Sequence, residues 1–469
     1  MNQDALDRWD LAARASPQRG NLSADVAAYA ANPVFDNTDE WIIAGNPYRR
    51  PVRPQDMVDH DFTAPLDKAD FCCGSALAAQ RMLINIYESD AMFLPAGELR
   101  PVEGDFRRFY HPETRRLGEA IRPHLEQHAF AFLDREIDTS GTWTTDDMVA
   151  FFDWRLKAVA NSDSAVKQAV LEASNFEEAA TSFLIQPASD FLTEASAMAR
   201  NVLGNFGPIH STLFKILIDE YGYGVHQTKH STLYQETLES RGLSPEIHAN
   251  WQFYLASSLA LTNYFHYVSK NHELFFRYLG ALYYTEASLV YAMRHQSDML
   301  KAVWGDDINT LYFDEHTHID KHHGRMVIEQ IITPLVEQCG EAIIPDVVRD
   351  FEEFLTLQDM ADADLIEQIA WSDGRHDATE AAAALDIDRS SGAHEPLVFH
   401  EVEGELSTTH VHEHDELFAV EDGAIDLVYG LDQSVRLEAG EAAVIPRHRL
   451  HGSRVVSPNC TDRVNAISE

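Results

Sequence analysis

The sequence is short of positive charge. Lys and Arg number 36 against 76 Asp and Glu, a formal net charge of −40. The basic footprint that nucleic acid or an anionic membrane surface would need is missing, which argues against both as partners. The acid excess has two readings of equal weight: it attracts a cationic small molecule, or it keeps the surface solvated. Cysteine is scarce as well. Cys72, Cys73, Cys339 and Cys460 are the full set, and the adjacent pair is neither a CxxC site nor able to bridge itself. A disulfide framework is excluded. No apolar run is long enough to span a bilayer, and the opening stretch MNQDALDRWDLAARA lacks a signal-peptide core, so a cytoplasmic location is expected. What remains is an ordinary globular composition, 45% hydrophobic over 469 residues, with room for two or three domains.

The stretch Leu311 to Gly324, LYFDEHTHIDKHHG, stands out. His316, Asp320 and His323 fall at i, i+4 and i+7, which places two imidazoles and a carboxylate on one helix face. That is ligand geometry for a first-row metal, with a solvated His-rich surface helix as the competing reading. Elsewhere, ELFFRYLGALYYTEASLVYAMR (273–294) is apolar almost all round yet carries Glu286. A buried carboxylate must be paired, protonated or bound to metal. Glu194, read as helical with Phe191, Ala197 and Met198 around it, repeats the anomaly, and so does Glu220. His230 follows Glu220 by ten residues. A straight helix would set these two roughly 80° apart, so a helix loosened or bulged at Gly222 and Gly224 is expected to bring them together. Four carboxylates (Glu194, Glu220, Glu286, Asp320) formally neutralise two divalent cations. With His230, His316 and His323 they make seven donors, which suits two irons with positions left open for dioxygen.

The Glu-x-x-His pairs of a ferritin-like bundle are not both present: Glu315 to His318 matches, but no convincing second copy exists. The His-x3-Asp-x2-His helix instead resembles the heme-oxygenase-like di-iron oxidases. From Leu397 the hydrophobic period changes to two. Gly404, His410, His412, Glu416 and Gly423 fill every fixed position of the first cupin motif. The second motif opens with Gly440 and Pro446 and ends at His451, but has His448 where glycine is common. His410, His412 and His451 are the expected ligands of a mononuclear metal, with Glu416 optional, His414 a decoy or alternative, and a metal-free barrel the competing reading.

The order of the parts, and the segments NPYRR (46–50), TSGTW (139–143), DEYGYGVH (219–226), KNHELFFRY (270–278), GALYYTE (280–286), HIDKHHGRM (318–326) and GELS (404–407), resemble the N-nitrosourea-forming enzymes of antibiotic biosynthesis along almost the whole chain. That resemblance implies Fe(2+) at each site, two ions in the helical domain and one in the cupin, with dioxygen as cosubstrate and an external reductant. It implies two hydroxylations of the guanidine of Nω-methyl-L-arginine at the di-iron site, on the δ and the unmethylated ω nitrogens. An oxidative rearrangement to an N-nitrosourea at the cupin iron would follow. It carries the di-iron ligands onto Glu194, Glu220, His230, Glu286, His316, Asp320 and His323, and the cupin ligands onto His410, His412 and His451.

The expected architecture is therefore multidomain α + β. Residues 1–135 form a helical dimerisation or packing domain, 136–378 a heme-oxygenase-like all-α di-iron domain, and 379–469 a linker followed by a β-barrel cupin. The linker is placed at about 372–396, with a short helix at 381–385 and a flexible stretch at 390–392. Glu315 is a candidate contact for the guanidinium. Two rival readings stay open: a di-iron N-oxygenase acting on a different guanidine or amine, and a non-catalytic metal-binding protein.

Overall fold

A computed structural model describes residues 22–375 and 396–467; the expected helix at 381–385 and the stretch at 390–392 lie outside them. The N-terminal part is helical and looped. Its longest buried element is α1, Gly74–Glu88, in which every side chain from Ala76 onward is buried, including the polar Gln80, Arg81, Asn85 and Glu88. A helix buried all round belongs inside a larger body. Residues 22–136 accordingly share one continuous apolar core with residues 145–373: Leu83 and Ile86 belong to the same cluster as Leu259, Leu282 and Phe351. A buried triad ties the two parts, with the Arg50 guanidinium and the His248 imidazole both on the Glu88 carboxylate. Pro112 opens the helix Pro112–Phe130, at a position where a missing N–H costs nothing. Thr144 caps the helix Thr145–Asn161 in a capping box with Asp147.

The bundle proper is built by α2 (Pro208–Glu220), α3 (His230–Ser240), α4 (Ala256–Lys270), α5 (Phe275–Trp304), α6 (Leu311–Met326) and α7 (Ile344–Asp373). Helix α6 lies along α5, and their closest approach depends on Gly324. A Cβ there would sit 3.0 Å from the Ala287 Cα and from the Glu286 carbonyl oxygen. The absent side chain therefore lets two metal-ligand helices touch at the ligands. After α6 the backbone widens into a π-helical segment, Val327–Ile332, just before Pro334. Proline removes an α-type donor and crowds the preceding turn, and the wider π turn relieves both.

The cupin is two four-stranded antiparallel sheets. Strands β1 (Leu397–Val402), β2 (Leu406–His410), β3 (Glu416–Asp422), β4 (Ala424–Gly430), β5 (Gln433–Glu438), β6 (Ala442–Ile445), β7 (His451–Val455) and β8 (Asn459–Ala466) are ordered β1-β8-β3-β6 and β2-β7-β4-β5. Their inward residues, among them Phe418, Ile425, Leu427 and Leu437, make a second core. Two of the helical body's contacts with this domain lie beside the candidate ligands His410 and His451. Arg81 of α1 donates to the Thr409 carbonyl (2.8 Å) and hydroxyl (2.9 Å). Gln368 of α7 donates to the carbonyls of Tyr429 and Leu450 and accepts from the Leu450 N–H at 2.9 Å. Among the described residues no helix is long and apolar enough to cross a membrane.

Candidate metal centres

Two groups of donors meet inside the bundle, and they share a residue. Glu194, Glu220, His230 and His316 offer ligand atoms all within 4.8 Å of one another, as do Glu220, Glu286 and His323. The two oxygens of Glu220 face different groups. Oε2 lies 2.6 Å from His230 Nδ1, and Oε1 lies 3.3 Å from His323 Nδ1. This is how a carboxylate stands between two cations. His316 Nε2 is 2.9 Å from Glu194 Oε1 and 3.0 Å from His230 Nδ1. Its other nitrogen, Nδ1, donates to the Tyr312 carbonyl at 2.8 Å, which fixes the ring and leaves the Nε2 lone pair for the centre. His323 is the mirror case: Nδ1 faces Glu286 Oε2 at 3.0 Å, while Nε2 donates to Asp219 Oδ2 at 3.0 Å. Asp219 is a functional residue that ligand spacing alone misses. The signal for it is the DE pair at 219–220, because a metal-bound imidazole usually gives its second nitrogen to a carboxylate.

The local backbone differs from expectation at two ligands. Helix α2 stops at Glu220 and α3 starts at His230, so the expected loosened helix is instead a helix end, a turn and a new helix. Gly222 makes this possible at φ +56°, where an added Cβ would come within 2.5 Å of the Thr228 carbonyl carbon. Glu194 does not stand on a helix either. It lies in an irregular turn, next to Ala195 at φ +63°, a conformation that residues with a Cβ adopt at a cost. Asp320 faces the same interior and is 2% exposed, but its Oδ1 stands 3.9 Å from His323 Nδ1 and it is not part of either mutually close group. Glu315 is exposed on the far side of α6, which removes it as a contact for anything held at the centre.

The electrostatics fit cations. The buried oxygens Glu194 Oε2, Glu220 Oε2 and Asp320 Oδ2 have no hydrogen-bond partner, a cost that bound metal removes. Burial opposes charging His316, but Glu194, Asp320 and Glu220 outweigh it and hold its pKa well above the imidazole range. For His323 burial is likewise outweighed, chiefly by Glu286 and Glu220, and the pKa is pushed up to about 12. Burial raises Asp320 well above the carboxylate range despite His316, with Glu286 and Glu220 adding to it. By themselves, then, these side chains gather protons to offset their carboxylates.

The cupin centre has the opposite character. His410, His412 and His451 also bring ligand atoms within 4.8 Å of one another. His410 and His451 are cross-strand partners in β2 and β7. Each gives Nδ1 to the carbonyl two residues back, Thr408 or Arg449, at 2.9 Å, so that Nε2 is free. Burial and Arg53 depress all three, with neighbouring imidazoles adding to it at His410 and His412: His410 far below the usual value, His412 to about 3, His451 to about 4. They are neutral and ready to bind metal. Glu416 is drawn aside, 3.1 Å from His412 Nε2 and 3.3 Å from His414 Nε2, and outside the close group. His448 takes φ +63°, which explains why glycine is common at that motif position. Arg53, at φ +49° in the NPYRRPVRPQD loop, is a cation from the N-terminal part that acts on all three imidazoles. Nothing in its spacing marks it; only its place in a basic loop of an acidic chain does.

Comparison with known proteins agrees with this division. A family described as iron-containing redox enzymes, with a heme-oxygenase-like fold, matches residues 181–359, and the cupin domain family matches residues 397–459. A nitrosourea synthase from Streptomyces achromogenes subsp. streptozoticus is 47% identical over 446 residues, 95% of each chain. Both donor clusters fall within or beside the matched regions, and the alignment runs almost end to end. The chain therefore belongs to the nitrosourea synthase family, as an iron-dependent oxygenase in which a heme-oxygenase-like helical domain is joined to a cupin.

Proposed function

We propose that this enzyme hydroxylates the guanidine of Nω-methyl-L-arginine twice in the bundle and rearranges the product oxidatively to an N-nitrosourea in the cupin. The observation that carries this reading is two donor clusters of opposite chemistry in one chain, together with the relative whose activity is nitrosourea synthesis. In the bundle, Glu194, Glu220, His230 and His316 would hold one iron, and Glu220, Glu286 and His323 the other, with Asp320 in reserve. His410, His412 and His451 would hold the cupin iron. Iron supplies what no side chain has, electrons for the activation of dioxygen. Each N-hydroxylation places one oxygen atom of dioxygen in an N–H bond and returns the other as water, which consumes two electrons from an external donor.

The chain's own residues bind, orient and exclude water. Tyr312 donates its hydroxyl proton to Glu194 Oε1 at 3.2 Å and holds that carboxylate in place. Asp219 orients His323, and Arg81 and Gln368 fix the strands that carry His410 and His451. Residues 1–135 are taken as the dimerisation or packing domain, 136–378 as the oxygenase domain and 379–469 as linker and cupin. A homodimer belongs to this reading, and light scattering on the purified protein tests it.

The deciding experiment gives iron-reconstituted protein Nω-methyl-L-arginine, a reductant and labelled dioxygen, and reads the products by mass spectrometry. A labelled nitrosourea supports the full reading. Hydroxylated amino acid alone supports the bundle's share and removes the cupin's. An unchanged substrate overturns the choice of Nω-methyl-L-arginine and favours another guanidine or amine.

A further inference from the structure

The bundle encloses a cavity of about 190 Å³ that no metal-ligand candidate lines, although ligand residues flank it. Thr285 and Leu289 line it from α5, on either side of Glu286, and Asp190 and Phe191 line it just before Glu194. Phe191 links it to the donor cluster: its ring packs on Tyr312 at 4.8 Å between ring centroids, the tyrosine that holds Glu194. A cavity of this kind takes a single small molecule rather than a polymer.

Its walls are mainly apolar, with Phe183, Leu261, Met299 and Phe354 among them. Three charged side chains break that lining: Asp190, Asp362 and Lys167. Asp190 is the most telling. Its side chain is exposed to the cavity it lines, and no described residue gives its carboxyl a hydrogen bond or an ion pair. Burial, then Glu194 and Glu88, push its pKa up to about 7. Asp362 accepts one hydrogen bond, from Gln358 Nε2 at 2.8 Å, and burial moves it up to about 6. Lys167 has only a long ion pair, 3.8 Å to Asp298. A carboxylate that faces an apolar cavity without a cation is costly, and a cationic ligand in the cavity supplies the missing charge.

Two acids and one amine on an apolar lining are the complement of one particular class of molecule. An amino acid with a guanidinium side chain has two cations, one anion and an apolar stem. We propose that this cavity is the amino-acid subsite of the bundle, with Asp190 on the guanidinium beside the metal centre and Asp362 and Lys167 on the α-amino and α-carboxylate groups. The assignment rests on the proposed N-oxygenation of a guanidine and adds to it the residues that choose the substrate. It also gives the acidic side chains around the centre a second task, since Asp190 would hold the guanidinium next to Glu194 without being a metal ligand.

The test is calorimetric titration and turnover of the iron-loaded full chain with Nω-methyl-L-arginine, L-arginine and norleucine, a chain of similar length without the guanidinium, with agmatine as the comparison that lacks the carboxylate. Wild type should bind both guanidines and not norleucine. Asp190→Asn should weaken guanidine binding and raise KM about 30-fold, as loss of a charge-assisted hydrogen bond does. Asp362→Asn should weaken it about 10-fold. Lys167→Met should erase the preference for L-arginine over agmatine, which lacks the carboxylate. Iron content should stay at the wild-type value in all three variants, and the cupin step, fed with the dihydroxylated amino acid directly, should run at the wild-type rate. These readouts separate a lost subsite from a lost fold. Guanidine binding within threefold of wild type in Asp190→Asn and Asp362→Asn overturns the subsite and leaves the N-oxygenase reading standing. Binding that falls in the variants while wild type hydroxylates neither guanidine supports the subsite and sinks that reading instead.

Discussion

The bundle centre and the cupin centre solve the problem of holding iron in opposite ways. The bundle buries four carboxylates with three imidazoles, and its own groups respond by drawing His316 and His323 toward the charged form. The cupin sets three imidazoles, His451 buried and His410 and His412 partly so, beside an arginine, and its histidines are pushed the other way. One site is an anionic hole that metal completes. The other is neutral and is formed before metal arrives. Carboxylates can bridge and change binding mode, which suits a two-ion centre that cycles through redox states. In the proposed cupin step, three fixed imidazoles would leave adjacent positions open for substrate and dioxygen.

This contrast can be broken at several points. The largest effect is expected at Glu220, the residue both bundle groups share. Glu220→Ala should lose both bundle irons and lower N-hydroxylation about a thousandfold or more, with one cupin iron retained per chain. Iron analysis with product detection reads this, and an active variant would refute the bridging role. Next, His410→Ala combined with His412→Ala should stop nitrosourea formation while the dihydroxylated amino acid accumulates. Nitrosourea at the wild-type rate would remove the cupin from the reaction.

A titration sharpens the comparison further. The metal-free bundle has imidazoles and Asp320 with raised pKa, so these groups hold protons at neutral pH and must release them when iron binds. Ferrous iron taken up by the bundle should therefore eject protons, and its affinity should rise from about pH 6 to about pH 8. The cupin imidazoles already lie unprotonated above pKa values of about 3 to 4, so iron uptake there should eject none and show a flat pH dependence over the same interval. A weakly buffered indicator titration of the two ligand-deleted variants measures both. The smallest effect is expected for Arg81→Met or Gln368→Ala, which should weaken cupin iron binding about tenfold by freeing the backbone beside a ligand and leave bundle iron unchanged.

Much of the site could be read along the chain because its chemistry is local in sequence. The three donors of α6 share a helix face, and Glu286 declares itself by sitting in an apolar helix. The cupin pair His410 and His412 is fixed by strand parity. What escaped was set by tertiary contact. Glu194 sits on a turn whose shape follows from packing against Tyr312, not from helical period. Gly222 breaks the chain between Glu220 and His230 where a loosened helix was expected, because a lone glycine signal does not distinguish a kink from a stop. Asp219, Arg53 and Arg81 act on ligands more than a hundred residues away and carry no periodic signature. Glu315, one position before a ligand, was drawn to the wrong side by about 100° of helix rotation. In the fold, α1 is buried between the helix Pro112–Phe130 and α4 of the bundle, a packing that only the three-dimensional core shows.

The grips of Arg81 and Gln368 have a consequence for how the two reactions meet. They seat the cupin on the helical body through backbone groups adjacent to His410 and His451, so every bundle centre has one cupin centre at a fixed remove. In the proposed two-step reaction, a product leaving the first site would then encounter the second at an effective concentration set by the fold rather than by the amount of enzyme present. Dilution would not slow that encounter, and an oxidised amino acid would spend little time where other molecules could consume it.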